Sequence, residues 1–213
     1  HRGHVGDVGM DVSVFTRTGV ERIHRFAFDL ARTRPRKLLT MVTKSNAQRH
    51  GMVMWDEIFD DVKADYPDVQ TDKMLVDAMT TRMVGDPGSL DTIVATNLHA
   101  DILSDLAAAL SGSMGIAPTA NLQPEGTYPS MFEPIHGSAF DIMGQGIANP
   151  IGAFWSAAMM LDHLGEGTAA GLLMAAIERV TAAGETLPSD LGGTATTAEV
   201  TAAVIAAIRG ANT

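Results

Sequence analysis

The stretch that decides the fold is Asn97-Leu98-His99-Ala100-Asp101-Ile102-Leu103-Ser104-Asp105-Leu106, which lies in an otherwise apolar run from Ala95 to Leu110. Asp101 and Asp105 are one helical turn apart, so on a helix both carboxylates lie on the same face. Two oxygen donors in this arrangement make half of a site for a hard divalent cation such as Mg²⁺ or Mn²⁺. The alternative is an acidic first turn of a helix that faces solvent, which is common.

The segments before this stretch alternate between strand and helix patterns. Strand patterns cover 11–15, 38–42, 69–75 and 92–96, and a helix pattern follows each of them. This alternation predicts a largely parallel α/β sheet. Polar residues follow the predicted strands, at the edge where open α/β sheets bind their ligands.

The first of these helices is predicted to begin with a capping box of Thr18 and Glu21 and to end before Pro35. Its predicted buried stripe consists of Ile23, Phe26, Ala27, Leu30 and Ala31.

The second half of the chain differs in composition. Residues 111–134 are rich in Gly, Ser, Pro and Thr, which predicts a long, functional connection without regular structure. Helices are predicted from Pro150 to about Leu164, over 168–183, and from Thr197 to about Arg209. We therefore predict two domains, 1–113 and 114–213.

Composition excludes several functions. The 213 residues are 46% hydrophobic and 19% charged, which is enough for one large or two small domains with cores. The net charge of −10 argues against nucleic acid and anionic membranes as partners. With no cysteine, disulfides, zinc–thiolate sites and thiol nucleophiles are excluded, and a reducing, cytoplasmic location is expected. No apolar run reaches the roughly 18 residues of a membrane span.

Two further residues belong with the aspartate pair. Asp77 is predicted at a strand-to-helix junction, where it is the best candidate for a third carboxylate ligand. Three carboxylates suit Mg²⁺ or Mn²⁺ better than zinc. Lys44 also follows a predicted strand, and a lysine in such a site can move a proton or hold an anionic substrate. A solvated side chain is the alternative for Lys44.

A glycine-containing loop carries the other candidate site. In His136-Gly137-Ser138-Ala139, the glycine permits a close approach of backbone to a ligand and the serine supplies a hydrogen bond. Asp141, shortly after, suits the 2′-hydroxyl of an adenosine ribose. No G-x-G-x-x-G follows a predicted strand, so the common dinucleotide fingerprint is missing. His1 and His4, near the start, are weaker metal-ligand candidates.

Together these residues resemble the metal-dependent β-decarboxylating dehydrogenases, which include isocitrate, 3-isopropylmalate, tartrate and D-malate dehydrogenases. The resemblance rests on Asn97–Asp105, on Phe132-Glu133-Pro134-Ile135-His136-Gly137-Ser138-Ala139 with Asp141, and on Gly146-Ile147-Ala148-Asn149-Pro150. Thr43–Asn46 and the segment 115–130 are most similar to the tartrate and D-malate branch.

The resemblance implies an isopropylmalate dehydrogenase-like α/β fold, with a mixed sheet flanked by helices and without its N-terminal part. It implies a homodimer in which Asp101 and Asp105 bind Mn²⁺ or Mg²⁺ together with Asp77 of the partner subunit. Lys44, also from the partner, would transfer a proton. The implied reaction is NAD-dependent oxidation, with or without decarboxylation, of a small 2-hydroxy dicarboxylic acid such as D-malate or tartrate.

The resemblance implies that 1–113 is part of a domain for dimerisation and for metal and substrate binding, and that 114–213 is the C-terminal half of an NAD-binding domain. It also implies the cofactor site. The NAD-binding residues would be His136, Gly137, Ser138, Ala139, Asp141 and Asn149. Asp141 favours NAD over NADP, because a carboxylate repels a 2′-phosphate.

The sequence departs from the family in three places. The catalytic tyrosine and the substrate-binding arginines belong to a region before His1, so this chain alone is expected to be inactive and to be a fragment. His99-Ala100 replaces the usual Phe-Gly, and Phe140 replaces the usual proline. A 3-isopropylmalate dehydrogenase is the alternative enzyme, and a non-catalytic structural or regulatory subunit is the alternative of another class.

Overall fold

The computed structural model describes residues 6–211, so His1 and His4 lie outside the described residues. The chain divides into two compact units, one ending at Ser104 and the other beginning at Asp105. This division falls within a helix, whereas the boundary predicted at 113/114 lies just beyond that helix. The functions assigned to the two domains stay predictions.

Helices and strands alternate through the first unit, and helices dominate the second. The helices are α1 (Arg17–Thr33), α2 (Gly51–Lys63), α3 (Val76–Gly85), α4 (Asn97–Leu110), α5 (Ile151–His163), α6 (Gly167–Ala183) and α7 (Thr197–Gly210). The strands are β1 (Leu38–Thr43), β2 (Gln70–Leu75), β3 (Thr92–Val94), β4 (Pro118–Asn121) and β5 (Met131–Pro134). Short 3-10 turns occupy Pro87–Ser89, Met114–Ile116 and Ser189–Leu191.

The first unit contains a parallel sheet of three strands in the order β2-β1-β3. The predicted parallel α/β arrangement is therefore confirmed. The central strand β1 is buried from Leu39 to Thr43, because α1 and α2 supply a cluster of aromatic and aliphatic side chains. Phe28, at the centre of this cluster, stacks on Tyr66 with ring centroids 4.7 Å apart.

The start of α1 differs from the prediction. Thr16, not Thr18, is the N-cap, and its side chain accepts a hydrogen bond from the backbone N–H of Gly19. The buried face is also rotated, since Ile23 is 40% exposed and Leu30 is 45% exposed. The buried residues of α1 are Val20, His24, Ala27, Phe28 and Ala31.

The strand predicted at 11–15 is wrong for the described chain, because residues 6–16 have no regular secondary structure. The burial of this segment does not alternate, since residues 11–14 are all exposed and only Phe15 packs on the first core. A strand needs a neighbour to satisfy its backbone, and no strand of the described residues pairs with this segment.

The second unit contradicts the prediction of a structureless segment over 111–134. Strands β4 and β5 form an antiparallel pair in which Pro118 lies opposite Pro134 and Asn121 lies opposite Met131. The three predicted helices are confirmed, with α6 packed against both α5 and α7 around Ile177 and Val204. No helix within residues 6–211 is long and apolar enough to cross a membrane.

Candidate functional site

Lys44 and Asp77 meet at the carboxyl edge of the parallel sheet. Thr43 ends β1 and lies opposite Leu75, which ends β2. Lys44 is the next residue after β1, and Asp77 lies in the first turn of α3, which follows β2 directly. Their side chains form an ion pair in which Lys44 Nζ donates to Asp77 Oδ1. The sequence placed both residues at strand ends, and the parallel register brings them together.

The ion pair also changes the pKa of Asp77. The hydrogen bond from Lys44 lowers the pKa of the Asp77 carboxyl below its usual value. Asp77 is the more accessible partner, with a side chain 66% exposed against 27% for Lys44. The Asp77 carboxylate is therefore accessible to a ligand, whereas the Lys44 side chain is mostly covered and its Nζ is hydrogen-bonded to Asp77.

His99 is a buried neighbour of this pair. Only 7% of its surface is exposed, and its Nδ1 finds no hydrogen-bond partner among the described residues. Burial, and secondarily the positive charge of Lys44, lower the pKa of His99. His99 is therefore expected to be neutral at pH 7, so it fills an apolar position as the phenylalanine of relatives would.

Helix α4 carries Asp101 and Asp105, and both are exposed. Neither carboxylate forms an ion pair with a cation of residues 6–211. Their oxygen donors are available, and a donor set of carboxylates suits Mg²⁺ or Mn²⁺. Within the described range, however, no three His, Asp or Glu side chains are grouped closely enough to hold a metal ion.

The second unit contains a cavity of about 790 Å³ that coincides with the predicted cofactor loop. Five of the six predicted cofactor residues line it, and these are His136, Gly137, Ser138, Ala139 and Asn149. Asp141 does not line the cavity but precedes Ile142, which does. The volume suits a nucleoside-sized ligand.

The loop that borders this cavity has an unusual backbone. Ala139 has a φ of 43°, in the left-handed region that few non-glycine residues adopt. Gly144 and Gly146 also have positive φ and line the cavity. Glycine adopts this conformation at little steric cost, so the backbone can come close to a ligand. Phe140, next to Ala139, is 78% exposed.

The lining of the cavity carries little charge. In the described part of the cavity wall there is one carboxylate, Asp190, and no Lys or Arg. Sequence reasoning missed Asp190, which lies in a short 3-10 turn without a motif that would single it out.

The parallel sheet of the first unit and the glycine-lined cavity of the second are features of an α/β protein. The sequence profile described as isocitrate/isopropylmalate dehydrogenase matches residues 1–204, and the chain belongs to this family. The predicted family resemblance and fold class are confirmed.

Similar proteins agree with this assignment. A probable tartrate dehydrogenase/decarboxylase of Agrobacterium vitis is 68% identical over 212 residues, which is 100% of this chain and 59% of that protein. The D-malate dehydrogenase (decarboxylating) of Escherichia coli strain K12 is 49% identical over 96% of this chain and 58% of its own length. The chain therefore spans less than two thirds of the curated relatives it matches.

A solved structure supports the fold independently. The crystal structure of isocitrate dehydrogenase from Methylococcus capsulatus superposes with a TM-score of 0.88 at 41% identity, covering 93% of this chain and 58% of that one. The match confirms an isocitrate dehydrogenase-like α/β fold of which this chain represents a part.

Proposed function

We propose that the protein to which this chain belongs oxidises D-malate or tartrate, with or without decarboxylation, using NAD and Mn²⁺ or Mg²⁺ in the cytoplasm. The observation that carries the proposal is the Lys44–Asp77 ion pair at the carboxyl edge of the sheet. In this pair, Lys44 would be the group that moves a proton and Asp77 the group that binds the metal. The relatives named for tartrate and D-malate point to the same substrate class.

The chain's own residues have separate roles in this proposal. As an ammonium group, Lys44 attracts the dicarboxylate, and once it has passed its proton to a neighbouring base its neutral Nζ can accept the proton that leaves the substrate 2-hydroxyl. Asp77, Asp101 and Asp105 would hold the metal. When bound, the divalent cation would supply stabilisation of negative charge on substrate oxygens, and NAD⁺ would supply the hydride acceptor.

The proposal includes a homodimer with shared active sites, as the family resemblance implies. Lys44 and Asp77 would act with Asp101 and Asp105 of the other subunit. Exposed apolar side chains on α3 and α4 support this arrangement, since Val84 is 59%, Leu98 64% and Ile102 52% exposed. Apolar exposure beside charged site residues is typical of a surface that another subunit covers.

The cofactor proposal assigns the cavity of the second unit to the adenosine end of NAD. His136, Gly137, Ser138, Ala139 and Asn149 would contact it, and Asp141 would accept a hydrogen bond from the ribose. The lack of a cation in the described lining supports NAD rather than NADP. The partners are then a small 2-hydroxy dicarboxylate and a second copy of the chain, not nucleic acid or a membrane.

The test is a substrate panel on the full-length gene product. We expect NADH formation with D-malate or tartrate in the presence of Mn²⁺, less with 3-isopropylmalate, and none for Asp105→Asn. Preference for 3-isopropylmalate would instead assign the alternative enzyme. No turnover with any of the three, with either metal, would contradict the proposal and favour a non-catalytic subunit.

A further inference from the structure

We infer that Asp190 is a positioning residue of the nucleotide cavity, which it shapes by holding Asn149 and Ser113 rather than by touching the ligand. This inference rests on the proposed function, because it assigns the cavity to the adenosine end of NAD. It concerns a residue outside the family motifs of the sequence. The Asp190 network is defined here as Ser113, Gly115, Asn149 and Asp190.

The network joins three segments of the second unit that border the cavity. Asp190 Oδ2 accepts a hydrogen bond from Asn149 Nδ2 at 2.9 Å and a second one from Ser113 Oγ. Ser113 Oγ also accepts from the backbone N–H of Gly115 at 2.9 Å. All four members line the cavity. One carboxylate oxygen therefore ties together the turn after α4, the loop before α5 and the turn before α7.

Both ends of the Asn149 side chain are held by this arrangement. Its Oδ1 accepts from the backbone N–H of Ile151, the first residue of α5, at 2.9 Å, while its Nδ2 donates to Asp190. An amide held at both ends has a fixed orientation, and one N–H of Nδ2 and one lone pair of Oδ1 remain for a ligand. Asp190 therefore determines the direction in which Asn149 presents them to the cavity.

Close packing at Gly115 shows how tightly the network is built. A Cβ added to Gly115 would lie 2.5 Å from Asp190 Oδ2 and 3.0 Å from the Asn149 Cβ. Any side chain at this position would push Asp190 and Asn149 apart. Gly115→Ala therefore disturbs the network without removing a hydrogen-bonding group.

Two substitutions of Asp190 separate positioning from direct contact. Asp190→Asn keeps a carbonyl oxygen that can accept from both Asn149 and Ser113, but it turns the other carboxylate oxygen into a donor. Asp190→Ala removes the acceptor altogether. If Asp190 only positions its neighbours, Asp190→Asn should bind the nucleotide like wild type and Asp190→Ala should bind it more weakly. If the other carboxylate oxygen contacts the ligand directly, both variants should bind the nucleotide more weakly.

The experiment measures the dissociation constants of NAD⁺ and ADP-ribose, and kcat and KM for NAD⁺, in the full-length gene product. We expect Asp190→Ala and Gly115→Ala to weaken both ligands by about tenfold, since two fixed hydrogen bonds are lost or displaced. At saturating NAD⁺, kcat should stay within about twofold. Asp190→Asn should bind within about twofold of wild type. The matched control is Gly171→Ala, where an added Cβ meets nothing within 4 Å.

Two results would overturn the inference. Equal weakening by Asp190→Asn and Asp190→Ala would indicate direct contact, and wild-type binding by both Asp190→Ala and Gly115→Ala would show that the network does not shape the site. Gly115→Ala serves as the second variant if Asp190→Ala does not fold. If the wild-type protein does not bind NAD⁺, the proposed function itself is overturned. If the wild-type protein and the variants all bind NAD⁺ tightly, only the inference about Asp190 is overturned.

Discussion

Lys44 and Asp77 form an ion pair across the ends of two adjacent parallel strands, although they are far apart in the sequence. The register that pairs Thr43 with Leu75 brings them to the same edge of the sheet. The lysine lowers the pKa of the Asp77 carboxyl below its usual value. The proposed proton transfer next to a metal uses a carboxylate and a lysine that lie beside each other in this way.

Replacing Lys44 tests its role as the proton carrier. We expect Lys44→Met to lower kcat by about 10²–10⁴-fold, the usual contribution of general acid–base catalysis. The dissociation constant of NAD⁺ should change less than about twofold, since the cofactor cavity lies in the other unit. The control is Lys63→Met, at the exposed end of α2. Retention of more than about a tenth of wild-type kcat would assign the proton transfer to another group.

The carboxylates of α4 are tested by direct metal titration. Asp105→Asn should weaken Mn²⁺ binding to the full-length gene product at least about tenfold, because an amide lacks the charge that a hard cation prefers. Calorimetry measures this without turnover. Asp162→Asn, an exposed carboxylate at the end of α5, is the matched control and should bind Mn²⁺ like wild type. If Asp105→Asn binds Mn²⁺ as tightly as Asp162→Asn and wild type do, Asp105 is not a metal ligand.

Cofactor preference depends on Asp141 in this account. Asp141→Asn should lower the ratio of kcat/KM for NAD⁺ to that for NADP⁺ by about tenfold, because a charged acceptor for the 2′-hydroxyl and a source of repulsion for a 2′-phosphate are both lost. Steady-state kinetics with each cofactor gives the ratio. An unchanged ratio would place the discrimination in the cavity lining rather than in Asp141.

His24 makes the stability of the protein depend on pH. The ring is fully buried in α1 against Trp55, and this burial lowers the pKa of His24 from 6.5 to about 4. The unfolded chain binds a proton below pH 6.5 while the folded chain does not, so the unfolding free energy falls as pH drops from 6.5 to about 4. This shift in the pKa of His24 corresponds to a loss of about 3 kcal/mol of unfolding free energy between pH 6.5 and about 4.

The variant His24→Phe removes the titrating group and keeps an aromatic ring next to Trp55 and Phe59. Urea unfolding of the wild-type and variant proteins at pH 7.5 and 4.5 gives the comparison. We expect the variant to gain stability relative to wild type as pH falls, because only wild type has His24 to protonate on unfolding. If the unfolding free energies of variant and wild type differ by the same amount at both pH values, His24 has an ordinary pKa in the folded protein.

Some elements were predictable from local sequence and others were not. Strand β1 and helix α2 have strong patterns of buried residues, and the junctions after β1 and β2 identified Lys44 and Asp77. Strands β4 and β5 have four residues each, too few for a periodic signal, and Pro118 and Pro134 at their ends argued against a strand. Both prolines are tolerated because the sheet has only two strands, so each strand is an edge.

Tertiary context explains the remaining differences. The pattern at 11–15 is that of a strand, but pairing needs a neighbour that local sequence does not specify. Asp190 was missed because its role depends on Asn149 and Ser113, which are distant in sequence and meet it only in the folded unit. The face of α1 was placed wrongly because His24 and Phe28, not Ile23 and Leu30, point to β1 and α2.

The central claim is that Asp77 of one subunit completes the metal site formed by Asp101 and Asp105 of the other. The most direct test is to co-express full-length Asp77→Asn and Asp105→Asn subunits, each inactive alone, and to measure NAD⁺ reduction by the mixture. Random pairing makes half of the dimers mixed, and in each of these one site has only wild-type residues, so we predict about a quarter of wild-type activity. A mixture as inactive as either variant alone would contradict the shared site.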